Sequence, residues 1–227
     1  MHGYMKIPEL KRVCHAMEIS INEYLVSVYI WSVYTECLHG MPSKCPIRVA
    51  VPVNLRPYFN SITTKNFFVM VSAEFHPTKE TYTFAEVAAI VKESLRSQIN
   101  RENLEKLFSY NVSNEKLLIA RVVPLFLKNL AMKYVYTTSA LANTATITNI
   151  GNISVTEEYR PYVEMFHAFL AMSKGQHLKG TICSYGDTLV FSFSYDLVDA
   201  SVQRGFFRKI ASDGIAVEIK SNGVNYE

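Results

Sequence analysis

The 227-residue sequence lacks the features that mark several special classes of protein. Its four cysteines, Cys14, Cys37, Cys45 and Cys183, form no CxxC pair and have no histidines at zinc-ligand spacing. This pattern predicts reduced thiols in a cytoplasmic protein without a metal site. The net charge of +3 is spread along the chain with no run of five basic residues, so we expect no nucleic-acid partner.

Long hydrophobic runs are absent as well. The most apolar stretch, residues 24–34, is about half the length that a bilayer span needs, and it contains serine. The sequence shows neither the charged leader nor the cleavage site of a signal peptide, so we expect none. What remains is an ordinary globular composition, 49% hydrophobic, without a repeat, linker or low-complexity tract. We therefore expect no membrane span and a single domain over residues 1–227.

Helical and strand patterns alternate in the first hundred residues, which predicts a mixed α and β protein. Ser20 and Glu23 form a capping box in front of a helix that is apolar nearly all round and therefore buried. The alternation around Pro52 predicts a strand, with the proline at an edge or a bulge. The predicted elements are helices over 8–17, 21–38 and 83–99, and strands over 47–55 and 66–75.

The second half predicts helices followed by extended segments. Helices are expected over 102–110 and 114–136, with Pro124 breaking or kinking the second. Extended segments are expected over 145–152, 162–172 and 179–195, the last a hairpin that turns at Gly186 and Asp187. Asp199 stands where a helix N-cap belongs, and Gly214 stands where that helix ends before a final strand, IAVEIK.

The junction SYDLVDAS, from Ser194 to Ser201, has two interpretations. Alone, it reads as a strand followed by a helix that Asp199 caps. Two other stretches favour a functional interpretation. They are VPVNLRPYF, followed ten residues after Arg56 by Asn66 and Phe67, and ATITNIGNI, which begins at Ala145.

In their order along the chain, VPVNLRPYF, ATITNIGNI and SYDLVDAS resemble the second lobe of two-lobed proteins of the chloramphenicol-acetyltransferase-like superfamily, which includes condensation domains and bacterial alcohol acetyltransferases. The resemblance implies an α/β, mixed-sheet CoA-dependent acyltransferase fold, present as a single lobe. In that family the first lobe carries the motif HHxxxDG, whose second histidine is the general base and whose aspartate is structural. Here Ser194 and Tyr195 occupy the histidine positions, Asp199 the aspartate position and Ala200 the glycine position.

The resemblance also implies a chemistry that the chain does not complete. The family's reaction moves an acyl group from CoA or a carrier-bound pantetheine thioester to an alcohol or amine, and it needs a base. None of the six histidines is followed by xxxDG; His76 comes nearest but is expected on the surface. His167 is the only histidine expected to be buried, as a core or interlobe residue or, alternatively, a catalytic one. Tyr195 is a poor base because its ordinary pKa is about 10.

Six residues are expected, by resemblance, to line one wall of a substrate tunnel. Arg56 has the alternative of a structural ion pair, and residues 149–152 that of an ordinary turn. The tunnel residues are Asn54, Arg56, Asn66, Thr148, Asn149 and Gly151.

Two functions of different class follow. The chain is either the C-terminal lobe of an acyltransferase, inactive without an N-terminal lobe, or a non-catalytic binding or assembly module that associates with itself. A site built between identical subunits would need a histidine at position 195, where the sequence has Tyr195. Both functions predict an exposed apolar surface on the isolated chain.

Overall fold

A computed structural model of the protein describes residues 1–116, 123–173 and 175–222. The strands are β1 (His2–Lys6), β2 (Ile47–Asn54), β3 (Phe68–Phe75), β4 (Ala145–Asn152), β5 (Leu178–Tyr185), β6 (Thr188–Tyr195) and β7 (Val217–Lys220). The helices are α1 (Ile7–Ala16), α2 (Ile21–Glu36), α3 (Arg56–Phe59), α4 (Phe84–Gln98), α5 (Arg101–Lys116), α6 (Leu125–Leu141) and α7 (Ser201–Ser212), with a 3₁₀ turn at Arg160–Tyr162.

The strands form one mixed sheet in the order β3, β2, β4, β5, β6, β1, β7. Neighbours β2, β4 and β5 are parallel, and the remaining pairs are antiparallel. Helices α2, α4 and α7 cover one face, with α2 in contact with both of the others and with β2. Because α2 is enclosed in this way, it is buried nearly all round, and its predicted capping box of Ser20 and Glu23 is confirmed.

Aromatic side chains fill the space between the sheet and the helices. Phe191 and Phe193 of β6 face α7, where Phe191 lies 4.4 Å from Phe206 and Phe193 lies 5.7 Å from Phe207, measured between ring centroids. Tyr29 of α2 extends the cluster to the next helix. Because side chains alternate along a strand, the residue of β6 between these phenylalanines points to the opposite, open face of the sheet.

Strand β1 was not predicted, and it changes what the opposite face of the sheet carries. It lies between β6 and β7, with His2 paired to Ser192 and to Lys220. Gly3 and Met5 face the helices, so His2 and Tyr4 alternate to the open face. A five-residue strand that pairs with residues almost two hundred positions away gives little local signal.

The prediction of a strand over 162–172 is wrong. Residues 163–172, called the strap here, form no strand but lie across the open face of the sheet. Cys183 donates its thiol hydrogen to the carbonyl of Phe166 (3.1 Å), and Lys179 donates to the carbonyl of Ala171 (2.8 Å). The apolar residues of the strap therefore pack over the sheet rather than extend it.

Other boundaries differ for local reasons. Helix α5 continues through the expected break at 111–113, and the expected helix over 114–136 lies partly outside the described residues. The observed α6 begins after Pro124, whose carbonyl accepts hydrogen bonds from the amides of Leu127 and Lys128. Pro124 therefore breaks the helical segment, as expected, and stands directly before the first residue of α6. Pro52 lies inside β2, but β4 pairs with β2 only at Val49 and Ala50, so the half of β2 that contains Pro52 is open on that side.

Candidate functional site

The junction SYDLVDAS spans the end of β6 and the start of α7. Asp199 accepts hydrogen bonds from the backbone amide (2.9 Å) and the hydroxyl (2.7 Å) of Ser201, and these bonds lower the pKa of Asp199. The helix N-cap is Ala200, one residue later than predicted. Asp199 still stabilises the first turn of α7, because its carboxylate satisfies an amide that would otherwise lack a partner.

Ser194 and Tyr195 line a cavity of about 540 Å³ on the open face, called the junction cavity here. Its apolar wall includes Phe169 and Met172 of the strap and Leu197 of the junction. His2 also lines this cavity, because the pairing of β1 with β6 places it beside Ser192. The two motif positions without histidine therefore share a cavity with a histidine from the other end of the chain.

His2 is held in a defined orientation. Its Nδ1 lies 2.9 Å from the hydroxyl of the buried Ser192, and its ring lies 4.5 Å from His167 and 4.8 Å from Phe169, measured between centroids. Burial and the neighbouring His167 lower the pKa of His2 to about 4, so the ring is neutral at pH 7. Within the described residues, Nε2 of His2 makes no hydrogen bond.

The chemistry open to His2 depends on its tautomer. Nε2 accepts a proton only if Nδ1 carries one and donates it to Ser192; the opposite tautomer makes Nε2 a donor. A base works best when its pKa lies near the working pH, and the pKa of His2 lies well below pH 7. This imidazole is therefore better suited to hydrogen bonding with a neutral ligand than to abstracting a proton.

His167 is not buried, contrary to expectation. It lies in the strap with its ring exposed, and its Nε2 is 2.7 Å from the hydroxyl of Tyr4. Tyr4 and His167 also line a second cavity, of about 840 Å³, together with Glu164, Glu218 and Lys220. The expectation failed because the strap crosses the sheet instead of entering it.

A row of hydroxyl and imidazole side chains crosses the open face. Thr148 of β4 pairs with Thr181 of β5, Thr181 pairs with Ser192, and Ser192 pairs with His2. The hydroxyl of Thr181 is buried and has no hydrogen-bond partner among the described residues. Of the six predicted tunnel residues, Thr148 is the one that this row contains.

Asn149 and Gly151 lie at the carboxyl end of β4, where a bulge interrupts its pairing with β5. The side chain of Asn149 accepts a hydrogen bond from the amide of Gly151 (2.8 Å), and Gly151 has φ = 87°, which favours glycine. The local geometry is that of the turn-like alternative. Gly151 has no atom within 4 Å of the place where a Cβ would stand, so this bulge is open to the surroundings.

Asn54, Arg56 and Asn66 lie around the end of β2 and the loop that leads to β3. The guanidinium of Arg56 donates to the carbonyls of Thr63 (2.9 Å) and Lys65 (2.7 Å) and to the side chain of Asn54 (3.3 Å). These bonds hold the loop in place, and Arg56 forms no ion pair with any acidic residue that the structure describes. Asn66 is exposed.

The predicted site residues therefore form two groups, which lie near opposite ends of the parallel strands. Ser194 pairs with Lys179 and lies near the start of β5, whereas Asn149 and Gly151 lie near the ends of the parallel strands. Sequence reasoning missed His2 and Tyr4, for which the alternation in the short stretch HGYMK is the available signal. Among the described residues, no group of three histidine, cysteine or acidic side chains is arranged to hold a metal ion, and no helix has the length and hydropathy to cross a membrane.

Solved structures share this fold. The epimerization domain from the third module of tyrocidine synthetase B matches with a TM-score of 0.58 and 11% identity, over 94% of this chain and 47% of that chain. Polyketide synthase associated protein 5 from Mycobacterium tuberculosis matches with a TM-score of 0.58 and 11% identity, over 92% and 49%. TRI101 of F. sporotrichioides, solved with coenzyme A and T-2, matches with a TM-score of 0.58 and 12% identity, over 94% and 49%.

These matches show the fold, which is the CoA-dependent acyltransferase or chloramphenicol-acetyltransferase-like fold expected from the sequence. The chain spans about half the length of the three structures, consistent with one lobe. No family model and no curated protein matches the sequence.

Proposed function

We propose that this chain is the C-terminal lobe of an acyltransferase that moves an acyl group from CoA or a carrier-bound pantetheine thioester to an alcohol or amine. The observation that carries the proposal is the fold match, which covers over nine-tenths of this chain but only about half of each larger structure. An N-terminal lobe then supplies the general base, and this lobe supplies one wall of the binding site.

The chemistry of the junction supports a division of labour between lobes. The 227 residues contain no HHxxxDG, Tyr195 stands where the second histidine of that motif would act, and the pKa of His2 is low. The expected wall residues Asn54, Arg56, Asn66, Thr148, Asn149 and Gly151 remain predictions. Thr148 is the best placed of them, because it shares the polar row with His2.

An uncovered apolar surface supports the presence of a partner. Helix α6 carries Leu125 and Phe126, each 71% exposed, together with exposed Leu130 and Tyr134. Contiguous apolar surface of this kind is uncommon on a monomer and marks an interaction site. A stable interface buries about 800 Å² on each partner.

The same surface supports the second candidate, a non-catalytic module that pairs with another copy of itself. The two candidates differ in the oligomeric state of the isolated chain, which light scattering after size exclusion measures. A dimer whose dissociation constant rises at least tenfold in Leu130→Asp favours the module. A monomer at micromolar concentration favours the incomplete lobe.

Activity tests the lobe proposal directly. Free thiol release from acetyl-CoA is followed with a panel of small alcohols and amines, for the chain alone and for His2→Ala and His167→Ala. We expect no release above the blank for any of the three. Turnover that His2→Ala abolishes, while His167→Ala retains it, would show that the chain carries its own base in the junction cavity.

A further inference from the structure

Lys179 of β5 is a buried cation on the open face of the sheet. The residue is 8% exposed, and its ammonium donates to the carbonyl of Ala171 (2.8 Å) and to the hydroxyl of Ser173 (2.7 Å). Within the part of the chain that the structure describes, no acidic side chain lies within ion-pair distance of it. A buried ammonium is costly unless charge compensates it, and this one has used two of its three donors on neutral oxygens.

Lys179 lies in a cavity of about 670 Å³ at the β2 and β3 end of the open face, called the Lys179 cavity here. The lysine shares the cavity with the polar residues Asn143, Thr146, Ser173 and the buried Gln176, and the hydroxyl of Thr146 donates to the amide oxygen of Gln176 (3.1 Å). Polar groups are thus concentrated on the sheet, around the charged nitrogen. None of these residues belongs to the junction cavity.

The walls of the cavity are apolar and uncovered. Phe68 and Met70 project from β3, and Tyr110 of α5, 68% exposed, and Tyr136 of α6 stand around them. Large aromatic side chains in such a position normally pack against something. The cavity therefore combines a single positive charge at its buried end with an aromatic and aliphatic mouth.

We propose that the Lys179 cavity binds a medium-chain alkyl carboxylate, with the carboxylate on the ammonium of Lys179 and the alkyl chain along Phe68, Met70 and Tyr136. A monoanion matches the charge of the single cation, whereas a phosphate dianion would leave one negative charge uncompensated. The volume lies within the range of about 300–1,000 Å³ typical of small-molecule sites. This site is independent of the acyl-transfer proposal, since it needs only the lobe itself.

Calorimetric titration of the full chain tests the site with three probes that each contain an eight-carbon chain: octanoate, octanol and octyltrimethylammonium. We expect octanoate to bind at least tenfold more tightly than octanol, and the cationic probe not to bind. The dissociation constant should fall roughly three- to fourfold for each methylene from hexanoate to octanoate, as burial of a methylene predicts.

Lys179→Met removes the charge and keeps most of the side-chain volume. We expect this variant to bind octanoate about 10- to 100-fold more weakly, as loss of a charge-assisted hydrogen bond predicts, and to retain octanol binding, which shows that the cavity is intact. Lys6→Met, at an exposed lysine of β1 outside this cavity, is the matched control and should leave octanoate affinity unchanged.

Three results would overturn the proposal. They are folded wild-type protein that does not bind octanoate, octanol that binds as tightly as octanoate, and unchanged octanoate affinity in Lys179→Met. The comparison of octanoate with octanol uses wild-type protein alone, so it decides the matter even if Lys179→Met does not fold.

Discussion

Gly3 of β1 offers a sensitive test of how the sheet packs on α7. A Cβ at this position would lie 2.1 Å from Cε1 of Phe207, whereas carbon atoms in good contact are about 3.5–4.0 Å apart. The Phe207 ring is buried and is held by Phe193 (5.7 Å) and Phe206 (5.2 Å), so it has little room to withdraw. We therefore expect Gly3→Ala to lower the free energy of unfolding by about 2–3 kcal/mol, the upper part of the range for overpacked cores.

The sign of this effect is informative, because a Gly→Ala change at an unobstructed position stabilises a protein by about 0.4–1 kcal/mol. Urea unfolding followed by the fluorescence of Trp31, the only tryptophan, measures the change. Phe207→Leu makes room for the methyl group, so the double variant should lose at least about 1 kcal/mol less than the sum of the single variants. A Gly3→Ala protein as stable as wild type would refute the placement of β1 against α7.

Two further predictions concern charge. Because the pKa of His2 in the folded protein, about 4, lies below the ordinary value of about 6.5, the unfolded chain binds the extra proton between these values. Stability should therefore fall as pH falls through this window, and thermal melts from pH 7 to pH 4 should show a shallower fall in His2→Gln than in His15→Gln, a control at an exposed site. Glu23→Gln should cost about 2 kcal/mol in urea unfolding, because the largely buried carboxylate accepts two hydrogen bonds from Arg96 (2.7 and 3.1 Å). Glu102→Gln, at an exposed helical pair, should change stability too little to measure, and an equal loss in both variants would contradict the role given to burial.

The elements predicted well are those whose signals are local. The capping boxes at Ser20 and Thr83 identify the starts of α2 and α4, because the interacting groups lie three residues apart. The hairpin at Gly186 is likewise confirmed, since a turn needs only its own residues. The predicted helix N-cap, Asp199, differs by one residue from the observed N-cap, Ala200, because this signal is local too.

The misplaced elements depend on distant partners. Whether an apolar segment such as 163–172 joins a sheet or lies across it depends on which strand edges are already occupied, and no local pattern records this. His2 gained its place near Ser194 only through pairing with β6. Lys179 lies in the hairpin strand that the sequence predicts, but its lack of a carboxylate neighbour among the described residues becomes visible only when the surrounding elements are assembled.

The position of β1 also affects how the chain folds. Residues 2–6 pair with residues 188–192 and 217–220, and β7 pairs only with β1 among the described strands. Contacts across so large a sequence separation close late and slow folding. Strand β1 cannot pair until the residues of β6 and β7 have been synthesised, so the sheet is completed only once the chain through residue 220 is available, and residues 2–6 determine whether β7 has a neighbour.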